Sequence, residues 1–323
     1  MPVVGPSSEV VKYLELKTRR DIAKGWTEHY FYQRGTSARN RKIILSERWR
    51  RIRKLGSGAF GSVWLEKCDR MVRKDAPSVR AVKEIKFNSG IDFTRELEAI
   101  AKFSNNEYLP SFVRCFGWFQ INDSIFITME HIEHGDLRKH LDDPMPEREA
   151  NLIIGQLVEG LGHMHRNKFV HRDLKPENIL VVEKGPGWLV QISDFGISRK
   201  LEDGRTIGTA QQGTLGYIAP EVMGFIDGKG LSFAADMWSL GAVLFRMLTR
   251  KTFLTYGDEH RKFVNGEKVV PVEELRRAGL SDSGLDFLQK LLVASPEARL
   301  TVDEATRHRW RIHNPAQSWT NSV

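Results

Sequence analysis

Only two of the 323 residues are cysteine, Cys68 and Cys115, and their spacing matches no metal-binding pattern. They read as free thiols, which points to a reducing compartment, the cytoplasm or nucleus. No apolar run approaches the roughly 18 residues that a membrane-spanning helix needs. The opening stretch "MPVVGPSSEVVKYLELK" meets polar residues too early for a secretory signal. Pro2 stands where N-myristoylation requires glycine. Internal repeats and low-complexity tracts are missing as well. Acidic residues are in mild deficit, 41 against 49 Lys and Arg, for a formal charge of +8. That surplus suits nucleic-acid binding, but the basic residues are spread along the chain, which fits ordinary surface charge. The densest basic run, "RWRRIRK" from Arg48 to Lys54, alternates with apolar residues and equally suits a strand with one wet face.

What is present is an ordinary globular composition on a chain too long for one core, so two lobes are expected. Residues 1–48 form a basic extension, partly ordered or packed on the first lobe. Within it, "SSEVVKYLELKTRRDI" suits a short amphipathic helix, and "EHYFYQRGTSARNRKIIL" suits two strands around a turn. From Trp49, "WRRIRKLGSGAFGSVWLEK" reads as a strand, a glycine turn and a second strand. "RAVKEIKF", "FVRCFGWF" and "SIFITMEHI" add strands, and "DFTRELEAIAKF" is a helix with Phe93, Leu97, Ile100 and Ala101 on one face. Beyond Gly135, helical patterns dominate in "EREANLIIGQLVEGLGHMH", "FAADMWSLGAVLFRMLT" and "SGLDFLQKLLVA". Strands first and helices later indicate an α+β chain.

Five motifs carry chemistry. "GSGAFGSV" places Gly56, Gly58 and Gly61 in the spacing G-x-G-x-x-G, which lets backbone N–H groups approach phosphate oxygens. The same spacing marks dinucleotide folds or a plain hairpin turn, although here a strand follows rather than a helix. Lys83 sits in a strand between apolar neighbours. It is either an exposed edge lysine or an anion ligand with a carboxylate partner, Glu96 first and Glu98 second. "FVHRDLKPENILV", from Phe169 to Val181, sets Arg172, Asp173, Lys175 and Asn178 between apolar ends. An Asp orients a hydroxyl and accepts its proton, an Asn oxygen ligates a metal, and a Lys neutralises a phosphate. Asp194, before Phe195 and Gly196, is a polar turn unless the loop of Asn178 lies beside it, where it becomes a magnesium ligand. Glu221, Arg299 and Asp236 read as bracing residues. A buried Asp236 must accept hydrogen bonds from backbone.

Taken in order, these motifs resemble the eukaryotic protein kinase catalytic domain of the serine/threonine type, over roughly Trp49 to His313. The resemblance implies a two-lobed fold, with an antiparallel-sheet lobe carrying one main helix (about 49–130) and a larger helical lobe (about 134–313). A tail, 314–323, follows. It implies ATP and Mg2+ as cofactors. Gly56, Gly58 and Gly61 would cover the phosphates, and Lys83 would hold them while paired with Glu96. Asp173 would act as catalytic base, Lys175 would meet the γ-phosphate, and Asn178 with Asp194 would hold the metal. Leu55, Val63, Ala81 and Leu180 would sandwich adenine, Met129 would sit behind it, and the backbones of Glu130 and Ile132 would bond its edge.

The same resemblance bears on substrates. Lys175 and Thr214 have the serine/threonine form, and Ile218 stands where proline-directed kinases place arginine, which favours a calmodulin-dependent or checkpoint-like type. Asp136 and Glu177 occupy positions that read a basic residue before the target, or else serve as a ribose contact and a solvated glutamate. Arg172 implies a phosphate on the activation loop, at Thr206 or Thr209, added by an upstream activating kinase. The expected partners are proteins bearing Ser or Thr, with neither nucleic acid nor a membrane span. Two rivals stand beside this reading, a pseudokinase scaffold and a small-molecule kinase. The segment "TFLTYGDEHRKF" lacks the Pro-Phe pair common in the family, so displacement of the following helix is expected.

Overall fold

The computed structural model describes the chain except residues 1–10, 13, 22–24, 36–41, 59–60, 73–76, 87–92, 105–107, 109, 196–197, 201–212, 227–231, 256 and 313–323. Two compact units result: Met1–Glu107 with Val113–His131, and Tyr108–Phe112 with Ile132–Val323. No described helix is long and apolar enough to cross a membrane.

The first unit is a seven-stranded antiparallel sheet with one helix. In chain order the strands are β1 (Lys17–Asp21), β2 (Trp26–Arg34), β3 (Lys42–Gly58), β4 (Gly61–Arg70), β5 (Val79–Lys86), β6 (Cys115–Ile121) and β7 (Ser124–Met129), and the helix is α1 (Phe93–Phe103). Their order across the sheet is β1-β2-β3-β4-β5-β7-β6. Three register shifts in the 17-residue β3, at Arg48/Trp49, Arg51/Arg53 and Lys54/Gly56, bend it. Helix α1 buries Glu96, Leu97, Ala99, Ile100 and Phe103. Ala101, expected on that face, is only half-buried.

The extension departs from its expected helix. Val11 and Lys12 are helical, but Lys17–Asp21 is a strand paired with Trp26–Tyr30. Hydrogen bonding to β2 overrides a local pattern too short to nucleate a stable helix. Immediately before β1, the chain bonds to the strand at the sheet's other edge. The Leu16 N–H donates to the Trp118 carbonyl at 2.7 Å, and the Trp118 N–H donates to the Leu14 carbonyl at 3.0 Å. The Trp118 indole N–H donates to the Val11 carbonyl at 2.8 Å. The sheet therefore closes on itself. Leu16 packs with Val82, Phe119 and Phe126, and the two phenylalanine rings stack at 4.8 Å. Nearby lies a buried ion pair, Arg80–Glu66 at 2.7 Å, with the Arg80 guanidinium 4.0 Å from the Trp49 ring centre.

The second unit is built on α2 (Glu147–Arg166) and α3 (Phe233–Thr249). Apolar side chains surround α3 on all sides, and it is buried accordingly. Around it lie α4 (Gly257–Val264), α5 (Val272–Arg277), α6 (Asp282–Leu291), α7 (Val302–Arg307) and α8 (Arg309–Ile312). A small sheet pairs β9 (Ile179–Glu183) with β10 (Leu189–Ile192), and β8 (Phe169–Val170) pairs with β11 (Arg199–Lys200). Helix α4 forms despite the missing Pro-Phe pair. Phe253 and Phe263 each pack on the Trp238 ring, and His260 Nε2 lies 3.1 Å from the Ile218 carbonyl oxygen.

Candidate active site

In the first unit, sheet register aligns the expected phosphate-facing residues. Gly56 lies opposite Val63, and Val63 opposite Lys83, across three neighbouring strands. Directly opposed residues share a sheet face. The glycine motif occupies the tip of the β3–β4 hairpin. A Cβ added at Gly56 or Gly58 would meet nothing of this chain within 4 Å. At Gly61 it would collide with the Glu84 carbonyl oxygen, and the backbone there has φ +139°. Gly61 is thus demanded by its positive φ and by the close approach of β5, whereas Gly56 and Gly58 leave backbone bare toward open space.

Lys83 is not an exposed edge lysine. Its ammonium lies 2.6 Å from Glu96 Oε1, with the two residues 6% and 2% exposed. A buried pair of this kind holds its charges by mutual attraction and is costly to break from one side. Glu98, the second candidate partner, is half-buried on the same helix. Ala81 lies between Leu65 and Met129 in the sheet, with Leu55 and Val63 half-buried on the neighbouring strands. The Glu130 N–H donates to the Arg114 carbonyl, which leaves its own carbonyl as the group available for a ligand.

In the second unit, Asp173 is the centre of a hydrogen-bonded cluster. Lys175 Nζ donates to Asp173 Oδ2 at 2.7 Å and to the Thr214 hydroxyl at 2.5 Å. The Thr214 hydroxyl donates to Asp173 Oδ1 at 2.8 Å, and the Asn178 amide donates to the Asp173 carbonyl and to Oδ2 at 2.7 and 3.0 Å. With the amide nitrogen so used, the Asn178 side-chain oxygen is the atom left for a cation. The Asp194 condition is met through the β9–β10 ladder. Ile192 pairs with Ile179, and both the Ser193 N–H and its hydroxyl donate to the Asn178 carbonyl, at 2.8 and 3.0 Å. The residue before Asp194 is therefore bound to Asn178, and Asp194 itself takes a left-handed backbone at φ 62°. Ile132 is buried, and Asp136 bridges Leu180 across a short antiparallel contact.

Asp236 supports this loop from beneath. It is fully buried and accepts from the His171 N–H, the Arg172 N–H and His165 Nε2, each at 2.9 Å. Arg172, with φ 72°, turns the backbone so that both N–H groups reach the carboxylate. Arg299 pairs with Glu221 at 2.7 Å and donates to the carbonyls of Ala234, Val293 and Ala294. Thr206, Thr209 and Gly196 lie outside the described residues.

Among the described residues no cluster of three or more His, Cys, Asp or Glu forms a metal site. An amide oxygen and a carboxylate are nevertheless what magnesium takes from a protein when phosphate oxygens complete its octahedron. Bare backbone at Gly56 and Gly58 and a buried lysine in the first unit suit phosphate oxygens, and the two hard oxygen donors of the second unit suit magnesium. Gly117 escaped the sequence reading. Its φ of +128° and the Leu14 carbonyl oxygen 2.6 Å from any Cβ make glycine obligatory where the extension docks. The one signal was the glycine interrupting "FGWF".

A family model for the protein kinase domain matches residues 49–311. The chain belongs to the protein kinase family. Over 272 residues it is 32% identical to the serine/threonine-protein kinase cds1 of Schizosaccharomyces pombe, covering 80% of this chain and 57% of that protein. It is 33% identical to calcium/calmodulin-dependent protein kinase type 1 of Caenorhabditis elegans, covering 81% and 74% respectively. Serine/threonine-protein kinase 17A of Oryctolagus cuniculus is 29% identical, covering 82% and 66%. The chain thus spans little more than half of the fission yeast relative. Its catalytic domain is of the serine/threonine type, as the motifs imply, with relatives among the calmodulin-dependent kinases.

Proposed function

We propose that this chain transfers the γ-phosphoryl group of Mg-ATP to a serine or threonine hydroxyl of a protein, in the cytoplasm or nucleus. The observation that carries this reading is the hydrogen-bonded set Asp173, Lys175, Thr214 and Asn178. When bound, Mg-ATP supplies the transferable phosphoryl group and the divalent charge that offsets its oxygens. Asp173 orients the acceptor hydroxyl and takes its proton. The Lys175 ammonium and the Thr214 hydroxyl fix both carboxylate oxygens in place, so little reorganisation is required at the moment of transfer. Lys83, held by Glu96, binds phosphate oxygens, and Asn178 and Asp194 hold the metal. Two free thiols support a reducing compartment.

A pseudokinase would show damage at Lys83, Asp173, Asn178 or Asp194, and all four are present. The test is radiolabel transfer to a mixed peptide set. Asp173→Asn and Lys83→Met are each expected to lower kcat by at least about a hundredfold, as loss of a general base or a charge clamp does. Circular dichroism verifies that both variants fold. Equal incorporation by wild type and both folded variants would refute the assignment.

A further inference from the structure

Asp136 and Glu177, expected to read a substrate arginine, already face cations of their own chain. Arg138 Nε lies 3.5 Å from Glu177 Oε1 and 3.9 Å from Asp136 Oδ1, and Lys139 Nζ lies 3.4 Å from Asp136 Oδ2. Arg138 and Lys139 also open one wall of a cavity of about 570 Å³ whose other wall is the C-terminal end of α3 and the turn after it. Arg138, Lys139, Arg246, Arg250 and Lys251 line it against a single carboxylate, Asp142.

These cations are only partly spent. The Arg246 guanidinium donates to the Arg250 carbonyl, and Lys251 pairs with Glu274 at 2.7 Å. Arg250 closes α3 in a left-handed conformation, φ 63°, and is exposed. The turn after α3 lies against the segment that carries Thr214: a Cβ added at Gly216 would collide with the side chain of Thr252, next to Lys251. Burial and Glu177 raise the Tyr217 phenol to about 12, while Arg246 and Arg138 pull it down, so all three charges act at one tyrosine. Tyr217 follows Thr214, whose hydroxyl is bonded to Asp173.

We propose that this surface selects acidic side chains on the flank of the acceptor residue, and that Arg138 shields Glu177 and Asp136 from a substrate arginine. The proposal rests on the transferase reading above and specifies its substrate class. An incoming arginine would have to displace Arg138 and sit beside Lys139, which also faces Asp136, a like-charge arrangement that opposes binding. An aspartate, glutamate or phosphoserine gains charge-assisted hydrogen bonds from guanidinium groups shaped for planar anions. Arg246 and Arg250, which have no carboxylate partner among the ion pairs described, together with the partly exposed Arg138, Lys139 and Lys251, make an anionic peptide the better electrostatic complement of this cavity. The site's nearness to the segment bonded to Asp173 favours a substrate peptide over a free nucleic acid.

The experiment is a positional peptide library phosphorylated by the full chain, with glutamate, phosphoserine and arginine scanned on both sides of the acceptor. Enrichment of glutamate or phosphoserine at a flanking position is expected, with arginine disfavoured there. Preference for phosphoserine over glutamate would identify a primed substrate, and equal use a plain acidic one; both support the proposal. Arg138→Gln should shift the acidic-to-basic ratio of kcat/KM by about tenfold toward arginine, and the double variant Arg250→Glu, Lys251→Glu should shift it the same way, through peptide KM. Fluorescence anisotropy of labelled acidic and basic peptides reads binding apart from turnover. Acidic-peptide binding without transfer would uphold the charge selection while sinking the transferase reading. Arginine selected by wild type, an unchanged ratio in both folded variants, or competition by RNA with indifference to peptide charge would overturn the proposal.

Discussion

Asp236 sets the geometry of the catalytic loop although it touches no reacting atom. Its environment contains opposing effects. Burial raises its pKa, but the His165 hydrogen bond, the charges of His165 and His171 and the Arg172 N–H outweigh it, and the net shift is downward from 3.8. A depressed folded-state pKa means stability that is complete above the unfolded value and lost as pH falls through the folded one. Asp236→Ala leaves the buried N–H groups of His171 and Arg172 without their acceptor, at about 1–3 kcal/mol for each. Urea denaturation at pH 7 should show that loss. Below pH 3.8 the gap between variant and wild type should narrow, and a constant gap from pH 7 to pH 2 would contradict the argument. Asp236 was legible in the sequence because a carboxylate inside an apolar helix demands partners. The state of Asp136 and Glu177 was not, because Arg138 is a neighbour in sequence to only one of them.

At the scale of elements, the closing contact between the extension and β6 is the feature that local pattern reading misjudged. "KTRRD" has no apolar alternation to mark a strand; it becomes one because β2 offers hydrogen-bond partners along its edge. Gly117 lies where residues 14–16 pack against β6. Gly117→Val would combine a strained positive φ with a clash against the Leu14 carbonyl and the Leu16 side chain. A cost of about 1–3 kcal/mol is expected for the backbone strain alone, seen as a lower Tm in scanning calorimetry. Edges freed in this way also invite pairing with other chains, so the variant should self-associate in size-exclusion chromatography. An unchanged Tm would mean that Leu14 to Leu16 are not held on β6 in solution. The glycine hairpin, the strand of Lys83 and the long helices α2 and α3 were all readable beforehand, since each carries its own period or turn chemistry.

For the whole molecule, two units with separate cores imply separable responses to damage. Hydrogen exchange followed by mass spectrometry should show Gly117→Val loosening residues 11–34 and 115–129, with the Asp173 loop keeping its protection. Asp236→Ala should do the reverse, loosening residues 165–178 and 233–240 while the seven-stranded sheet stays protected. Identical exchange patterns in the two variants would show that the units unfold together. Family membership was also visible at this scale, because G-x-G-x-x-G, the strand lysine, H-R-D-x-x-x-x-N and D-F-G follow one another in order over most of the chain.

The sequence alone determined the residue types and spacings of the catalytic motifs, since a short loop holds Asp173, Lys175 and Asn178 together wherever the rest of the chain goes. Only the tertiary structure decided that residues 14–16 close the sheet against Trp118, that Arg138 reaches Glu177, and that basic side chains from two distant segments line one cavity. Those outcomes depend on hydrogen bonds and charges brought together across long stretches of sequence, and no local periodicity encodes a contact of that range.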